Sequence, residues 1–203
     1  MKVFGTGLPR SGTTSMAIAL LHMGFRTAHC CFDDQIYVAA DAVFDTPVFA
    51  DYPLLDRRFP GSKFIHTKRD FDPWFESVNR TLGTFLGNLA LGIKGPTAEV
   101  TKSYDIDRRC WLQTFGTLRI ERETFRRRFE AHESAIAEYF RDRPRDFISF
   151  HLPANELWPR LAGFLGRGIP PGEFPHANRG TAVDWIDFNH PNKMPSMFEI
   201  SAY

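Results

Sequence analysis

The stretch Gly5-Thr6-Gly7-Leu8-Pro9-Arg10-Ser11-Gly12-Thr13-Thr14-Ser15 gathers small residues, hydroxyls and one cation. The chemistry this composition suits is anion binding. Glycines let a backbone approach phosphate oxygens where a Cβ would clash. A helix that starts at the end of such a loop turns its first N–H groups toward the anion and adds partial positive charge. The flanking residues supply the frame. Met1-Lys2-Val3-Phe4 is a short apolar run fit for a strand, and Met16-Ala17-Ile18-Ala19-Leu20-Leu21 reads as a helix ending near Gly24. An ordinary Gly/Ser/Thr turn is the plainer alternative, but strand, spacing, arginine and helix agree on a cradle.

The spacing Gly7-x-x-x-x-Gly12-Thr13-Thr14 matches a nucleotide P-loop except that Thr13 stands where an NTPase carries lysine. The positive charge has moved into the loop, to Arg10. Without that lysine, β- and γ-phosphates are poorly bridged. A guanidinium instead offers a planar fork to a pair of oxyanion oxygens.

The elements that must position this loop belong to an α/β chain. At 203 residues, one domain with a real core is expected. Apolar residues make up 43% and charged residues 24%, with a net charge of +1. These values point to no bulk nucleic-acid or anionic-membrane partner. The 20 phenylalanines suit a bulky core or an aromatic-lined pocket. Three cysteines, Cys30, Cys31 and Cys110, cannot build a disulfide framework and suit a reducing compartment. With no signal or apolar span visible and a strand starting near Met1, a cytoplasmic location is expected.

Further along, Phe25 to Asp34 reads as a connecting segment with one functional side chain. His29, Cys30, Cys31 and Asp33 there fit no standard zinc spacing, and no metal is expected. Ala42 to Pro47 reads as a strand ended by Asp45, Pro53 to Phe59 as a short helix, and Lys63 to Thr67 as a buried strand running into Lys68-Arg69-Asp70. Open α/β sheets bind ligands at that strand end. Pro73 to Val78 opens a helix. Residues 80–100 are apolar and punctuated by glycine, either the wall or lid of a pocket or a tightly packed helix. Leu118, Phe125, Phe129, Ile136 and Phe140 share one helical face, with Glu123 and Arg127 an i,i+4 pair on it. Arg126-Arg127-Arg128 reads as a solvated face. Asp146 to Leu152 is a late strand and Leu157 to Gly166 a short helix.

Pro9-Arg10-Ser11-Gly12-Thr13-Thr14-Ser15 resembles the 5′-phosphosulfate loop of the sulfotransferases that use 3′-phosphoadenosine 5′-phosphosulfate (PAPS), in the variant with arginine. Arg69 and Ser77, eight apart, resemble the pair that holds the donor's 3′-phosphate in that family. The segments Phe44 to Val78, Asp146 to Gly166 and Phe174 to Asn178 are similar to a bacterial-type branch of the P-loop sulfotransferases, so the resemblance covers most of residues 2–180. Asn178-Arg179-Gly180 ahead of Asp184-Trp185 resembles the Arg-Lys-Gly segment that closes over the 3′-phosphate in cytosolic members, with Asn178 replacing the first arginine. Arg179 and Gly180 are therefore further donor-contact candidates. Residues 181–203 form a C-terminal extension of open role.

The resemblance implies a three-layer α/β/α fold with a mainly parallel sheet. It implies PAPS as sulfuryl donor, 3′-phosphoadenosine 5′-phosphate (PAP) as product and no metal. The acceptor would be a hydroxyl (or amine) of a small molecule, glycan or peptide, and a homodimer is one assembly left open. Asp45-Thr46-Pro47 stands where cytosolic members carry a catalytic His-Leu-Pro. The candidate bases are Asp45 and His29, the imidazole titrating nearer neutrality. The plainer role for Asp45 is an N-cap of the helix after Pro47. Two rivals stand beside this reading, a P-loop kinase or NTPase and a nucleotide-binding module without chemistry.

Overall fold

Parallel strands buried on both faces must alternate their side chains between two cores. The computed structural model of the chain, which describes residues 1–152, 156–177 and 189–194, shows that alternation. Among the described residues, strands β1 (Val3–Gly5), β2 (Thr27–His29), β3 (Ala42–Phe44), β4 (Lys63–Lys68) and β5 (Phe147–His151) form one sheet in the order β2-β3-β1-β4-β5, and every neighbouring pair is parallel. Helices α1 (Thr13–His22), α2 (Asp34–Ala39), α3 (Val48–Arg58), α4 (Phe71–Ala90), α5 (Ala98–Phe115), α6 (Arg122–Tyr139) and α7 (Leu157–Leu165) complete the layers. Val3, Ala42, Phe44, Ile65 and Phe150 pack against α1 and α7 on one face. Phe4, Ala28, Val43 and Phe64 pack against α2, α3 and the C-terminal part of α6 on the other. The expected three-layer α/β/α arrangement is therefore present.

A third core lies beside the sheet, between α4, α5 and α6. Trp74, Trp111, Phe115, Phe125 and Phe129 fill it, with Leu8 from the glycine-rich loop and Phe49 from α3. Trp74 stacks on Phe115 at a ring separation of 5.7 Å and meets Phe129 at 4.8 Å. Much of the unusual phenylalanine content thus serves the interior.

Several elements depart from expectation. The segment read as a connection contains β2, whose three residues are too few to display a period. α3 begins at Val48, five residues ahead of the expected start, and carries Pro53 inside it. An interior proline costs about 3 kcal/mol. Burial of Val48, Phe49, Ala50, Tyr52 and Leu55 on the helix offsets that cost. The stretch from Phe71 to Ala90 is one helix whose buried face includes Leu86 and Leu89. A Cβ at Gly87 would meet nothing within 4 Å, so close packing is not the reason for that glycine. The expected face of α6 is buried through Phe125, Phe129 and Ile136, and His132 lies on it too.

Gly7 and Gly87 should respond oppositely to alanine. A Cβ on Gly7 would lie 2.0 Å from Thr67 Oγ1 and 2.7 Å from the Thr67 carbonyl oxygen. Gly7→Ala should therefore cost about 2 kcal/mol or more in urea unfolding. Gly87→Ala should be neutral or stabilising by up to ~1 kcal/mol in the same experiment.

Candidate functional site

The loop between β1 and α1 is shaped by what it rests on. The Thr6 N–H donates to the Ile65 carbonyl at 2.9 Å, which extends the pairing with β4 one residue beyond β1. Gly7 then fits against Thr67, and Ser11 closes a turn by donating its N–H to the Leu8 carbonyl at 3.0 Å. Arg10 has φ of 72° and Gly12 of 100°, both left-handed. No side chain caps the N-terminus of α1, so its first N–H groups face the loop's concavity with their partial charge uncompensated by a capping oxygen.

Three side-chain bonds fasten this loop to β4 and α4. Trp74 Nε1 donates to the Pro9 carbonyl at 2.9 Å, the Ser11 and Thr67 hydroxyls are 2.8 Å apart, and Arg10 Nε donates to Ser77 Oγ at 3.1 Å. Arg69 donates to the Arg10 carbonyl at 3.3 Å. The cations and the serine singled out in the sequence are thus brought together, with Arg10 leaning onto α4. Burial lowers the basicity of Arg69 and the positive charge of Arg80 lowers it further. Among the described residues neither Arg69 nor Arg80 forms an ion pair with a carboxylate, so this corner carries net positive charge. By contrast, Arg126 pairs with Asp72 and stacks over Phe71, in keeping with a solvated face.

Carboxyl groups gather on the other side of the loop. Asp45 follows β3 with φ of 68°, a region that aspartate tolerates. Its side chain does not cap α3, whose N-cap is Pro47, and the plainer role expected for it does not hold. Instead Oδ2 accepts from the Thr13 hydroxyl at 2.6 Å, and Oδ1 accepts from the Thr46 N–H at 2.9 Å and the Thr46 hydroxyl at 3.4 Å. His29, at the end of β2, brings Nε2 within 3.3 Å of the Thr13 and Thr14 hydroxyls and 3.6 Å of Asp45 Oδ2. Burial lowers its pKa, against the opposing pull of Asp45, which leaves the imidazole neutral at pH 7. Both candidate bases therefore meet at one place, linked through Thr13.

The ligand-capable atoms of His29, Cys30 and Asp45 all lie within 4.8 Å of one another. They already bond among themselves and to the threonines. Burial raises the Cys30 pKa well above its ordinary value.

A family model described as a sulfotransferase domain matches residues 2–34 and 31–183. The chain belongs to the sulfotransferase domain family. No curated protein matches it. In this sulfotransferase, no helix among the described residues is long and apolar enough to cross a membrane. Arg179 and Gly180 lie outside the described residues, as do Asn178, Asp184 and Trp185. Ala177, just before them, donates its N–H to Ser15 Oγ in the first turn of α1 at 3.0 Å.

Sequence reasoning missed Trp74, Thr67, Thr46, Arg80 and Asp107. Asp107 had a usable signal. Val100, Ser103, Asp107, Cys110 and Trp111 mark the buried stripe of α5, and a carboxyl on such a stripe requires an explanation. Trp74 had none, since its indole partner is a backbone carbonyl 65 residues away.

The Thr13 to Asp45 bond should contribute to the fold. Thr13→Val removes a hydrogen bond to a buried carboxylate and should lower stability by about 1.5–3 kcal/mol, read by denaturant unfolding.

Proposed function

We propose that this sulfotransferase moves a sulfuryl group from PAPS to a hydroxyl acceptor, with a single site at the C-terminal edge of β1, β3 and β4. The observation that carries the reading is the division of charge around the loop. Arg10, Arg69 and Arg80 stand on one side with Ser77, and Asp45 stands on the other, bonded to the threonine that replaces a P-loop lysine. A nucleoside triphosphate would need a cation at Thr13 to bridge its terminal phosphates. PAPS has no γ-phosphate but carries a 3′-phosphate, which the Arg69 corner suits.

In this reading the loop N–H groups and the N-terminus of α1 hold the 5′-phosphosulfate. Arg10 offsets the charge that builds on the bridging oxygen as the S–O bond breaks. Arg69 and Ser77 hold the 3′-phosphate, with Arg179 and Gly180 proposed to join them. Asp45 takes the proton of the acceptor hydroxyl. Thr13 and Thr46 occupy only part of its acceptor capacity and fix its direction. His29, neutral and bonded to the Thr13 and Thr14 hydroxyls, orients the acceptor end.

PAP release from PAPS tests these roles. Arg10→Ala should lower turnover by about 10²–10³ while PAP still binds, because the lost interaction belongs to the transition state. Unchanged turnover would remove Arg10 from the chemistry. Asp45→Asn should bind PAP normally and lose about 10² or more in turnover. An active Asp45→Asn beside an inactive His29→Ala would transfer the role of base to His29. A Mg²⁺-dependent stabilisation by ATP that exceeds the one by PAP would favour a kinase instead.

A further inference from the structure

The register of β1 and β4 sets Gly5 level with Ile65, so the next pair, Thr6 and His66, lies where the loop leaves the sheet. Thr6 is 0% and His66 1% exposed. The Thr6 hydroxyl and His66 Nδ1 are 3.1 Å apart. The other ring nitrogen, Nε2, is 2.9 Å from Glu133 Oε1 on α6, and Glu133 Oε2 is 3.2 Å from Lys68 Nζ. A line of polar contacts thus runs from the start of the loop to a partly exposed lysine, two residues further along the same face of β4.

Each member of this line fixes the next. Burial opposes ionisation of Glu133, but the bonds from His66 and Lys68 hold its pKa below the ordinary value. A carboxylate only accepts hydrogen bonds. It therefore requires the proton of a neutral His66 ring on Nε2, which leaves Nδ1 to accept from the Thr6 hydroxyl. Phe147 stacks on the ring at 6.2 Å and holds its plane. His132, with its ring 6.3 Å from that of His66, has its pKa pushed down to about 4 mainly by burial. Lys68 is then the cation that answers Glu133.

A hydroxyl with no exposed surface touches no ligand. Its bond orients the backbone at Thr6, and the next residue is Gly7, which rests on Thr67. β4 therefore grips the loop from both faces, through His66 on one and Thr67 on the other. A satisfied buried network of this kind rigidifies what it holds.

We propose that His66 and Glu133 are positioning residues of the loop, acting through Thr6 to fix the direction of the N–H groups that hold the donor's 5′ end. This rests on the loop holding that end, as in the proposed function.

Isothermal titration calorimetry with PAP and AMP, which share a 5′-phosphate, tests the proposal on the full chain. Glu133→Ala should weaken both nucleotides alike, by about fivefold. Glu133→Gln, which keeps an acceptor for Nε2, should recover most of that loss. Thr6→Val should weaken both by about tenfold. Because Glu133 acts through Thr6, adding Glu133→Ala to Thr6→Val should change affinity by less than about twofold. A merely structural Glu133 would lower the urea midpoint and leave both affinities in place. Wild-type affinities in Glu133→Ala, or losses that multiply in the double variant, would overturn the proposal. Nitrogen-15 NMR of the wild type decides it without any variant, should these fail to fold. At about pH 8 the His66 proton should sit on Nε2, and saturating PAP should move the Nδ1 resonance. A proton on Nδ1, or a resonance that bound PAP leaves in place, would refute the positioning role. A misread donor site would show in the wild type itself, as binding of neither nucleotide, and would take the proposal with it.

Discussion

The close contact between Gly7 and Thr67 is the constraint on which the site depends. It sets the loop directly on the end of β4, with no room for a Cβ. From there the chain can reach α1 only through a tight turn with two left-handed residues, one of them Arg10. Such backbone strain persists where surrounding structure over-determines it. Here Trp74, Thr67 and Ser77 supply the anchors, and all three belong to β4 and α4. Trp74 is also a centre of the aromatic core beside the sheet. The geometry of the loop is thus tied to the packing of α4, α5 and α6.

The sheet accounts for the rest of the placement. Registers of β1 with β3 and β4 bring Gly5, Phe44 and Ile65 level with one another. The residues that follow, Thr6, Asp45 and the end of β4, emerge on one edge. Helix α1 leaves from that edge and buries Met16, Ala17 and Leu20 on the sheet, which directs its N-terminus at the same point. Arginines gather on the β4 side and carboxyls on the β3 side. Thr13 is the junction between them. As a hydroxyl in the place of a lysine, it donates to Asp45 where an ammonium would have neutralised it.

The loop between β1 and α1 was legible in the sequence because its requirements are local. Strand, glycines, arginine and helix stand within some twenty consecutive residues, and each type has a physical reason to be there. β1, β3, β4 and β5 were read as strands for the same reason, as buried apolar runs. β2 and the start of α3 were not, since a three-residue strand shows no period and Pro53 argues against the helix it belongs to. Asp45 was singled out by its place after a strand, but its partners Thr13 and Thr46 follow only from the fold. What sequence carries poorly is the meeting of distant polar groups, where tertiary packing alone sets the distance.

In the proposed function the Arg69 corner recognises a 3′-phosphate while the loop holds the 5′ end. Isothermal titration calorimetry with PAP and AMP, against wild type and Arg69→Ala, tests it most directly. One or two charge-assisted hydrogen bonds to the 3′-phosphate should make PAP bind wild type about 10²-fold more tightly than AMP. In Arg69→Ala the preference should fall to about tenfold or less, through PAP alone, with AMP binding unchanged. Equal affinities for PAP and AMP in the wild type, or a preference that survives Arg69→Ala intact, would contradict the account.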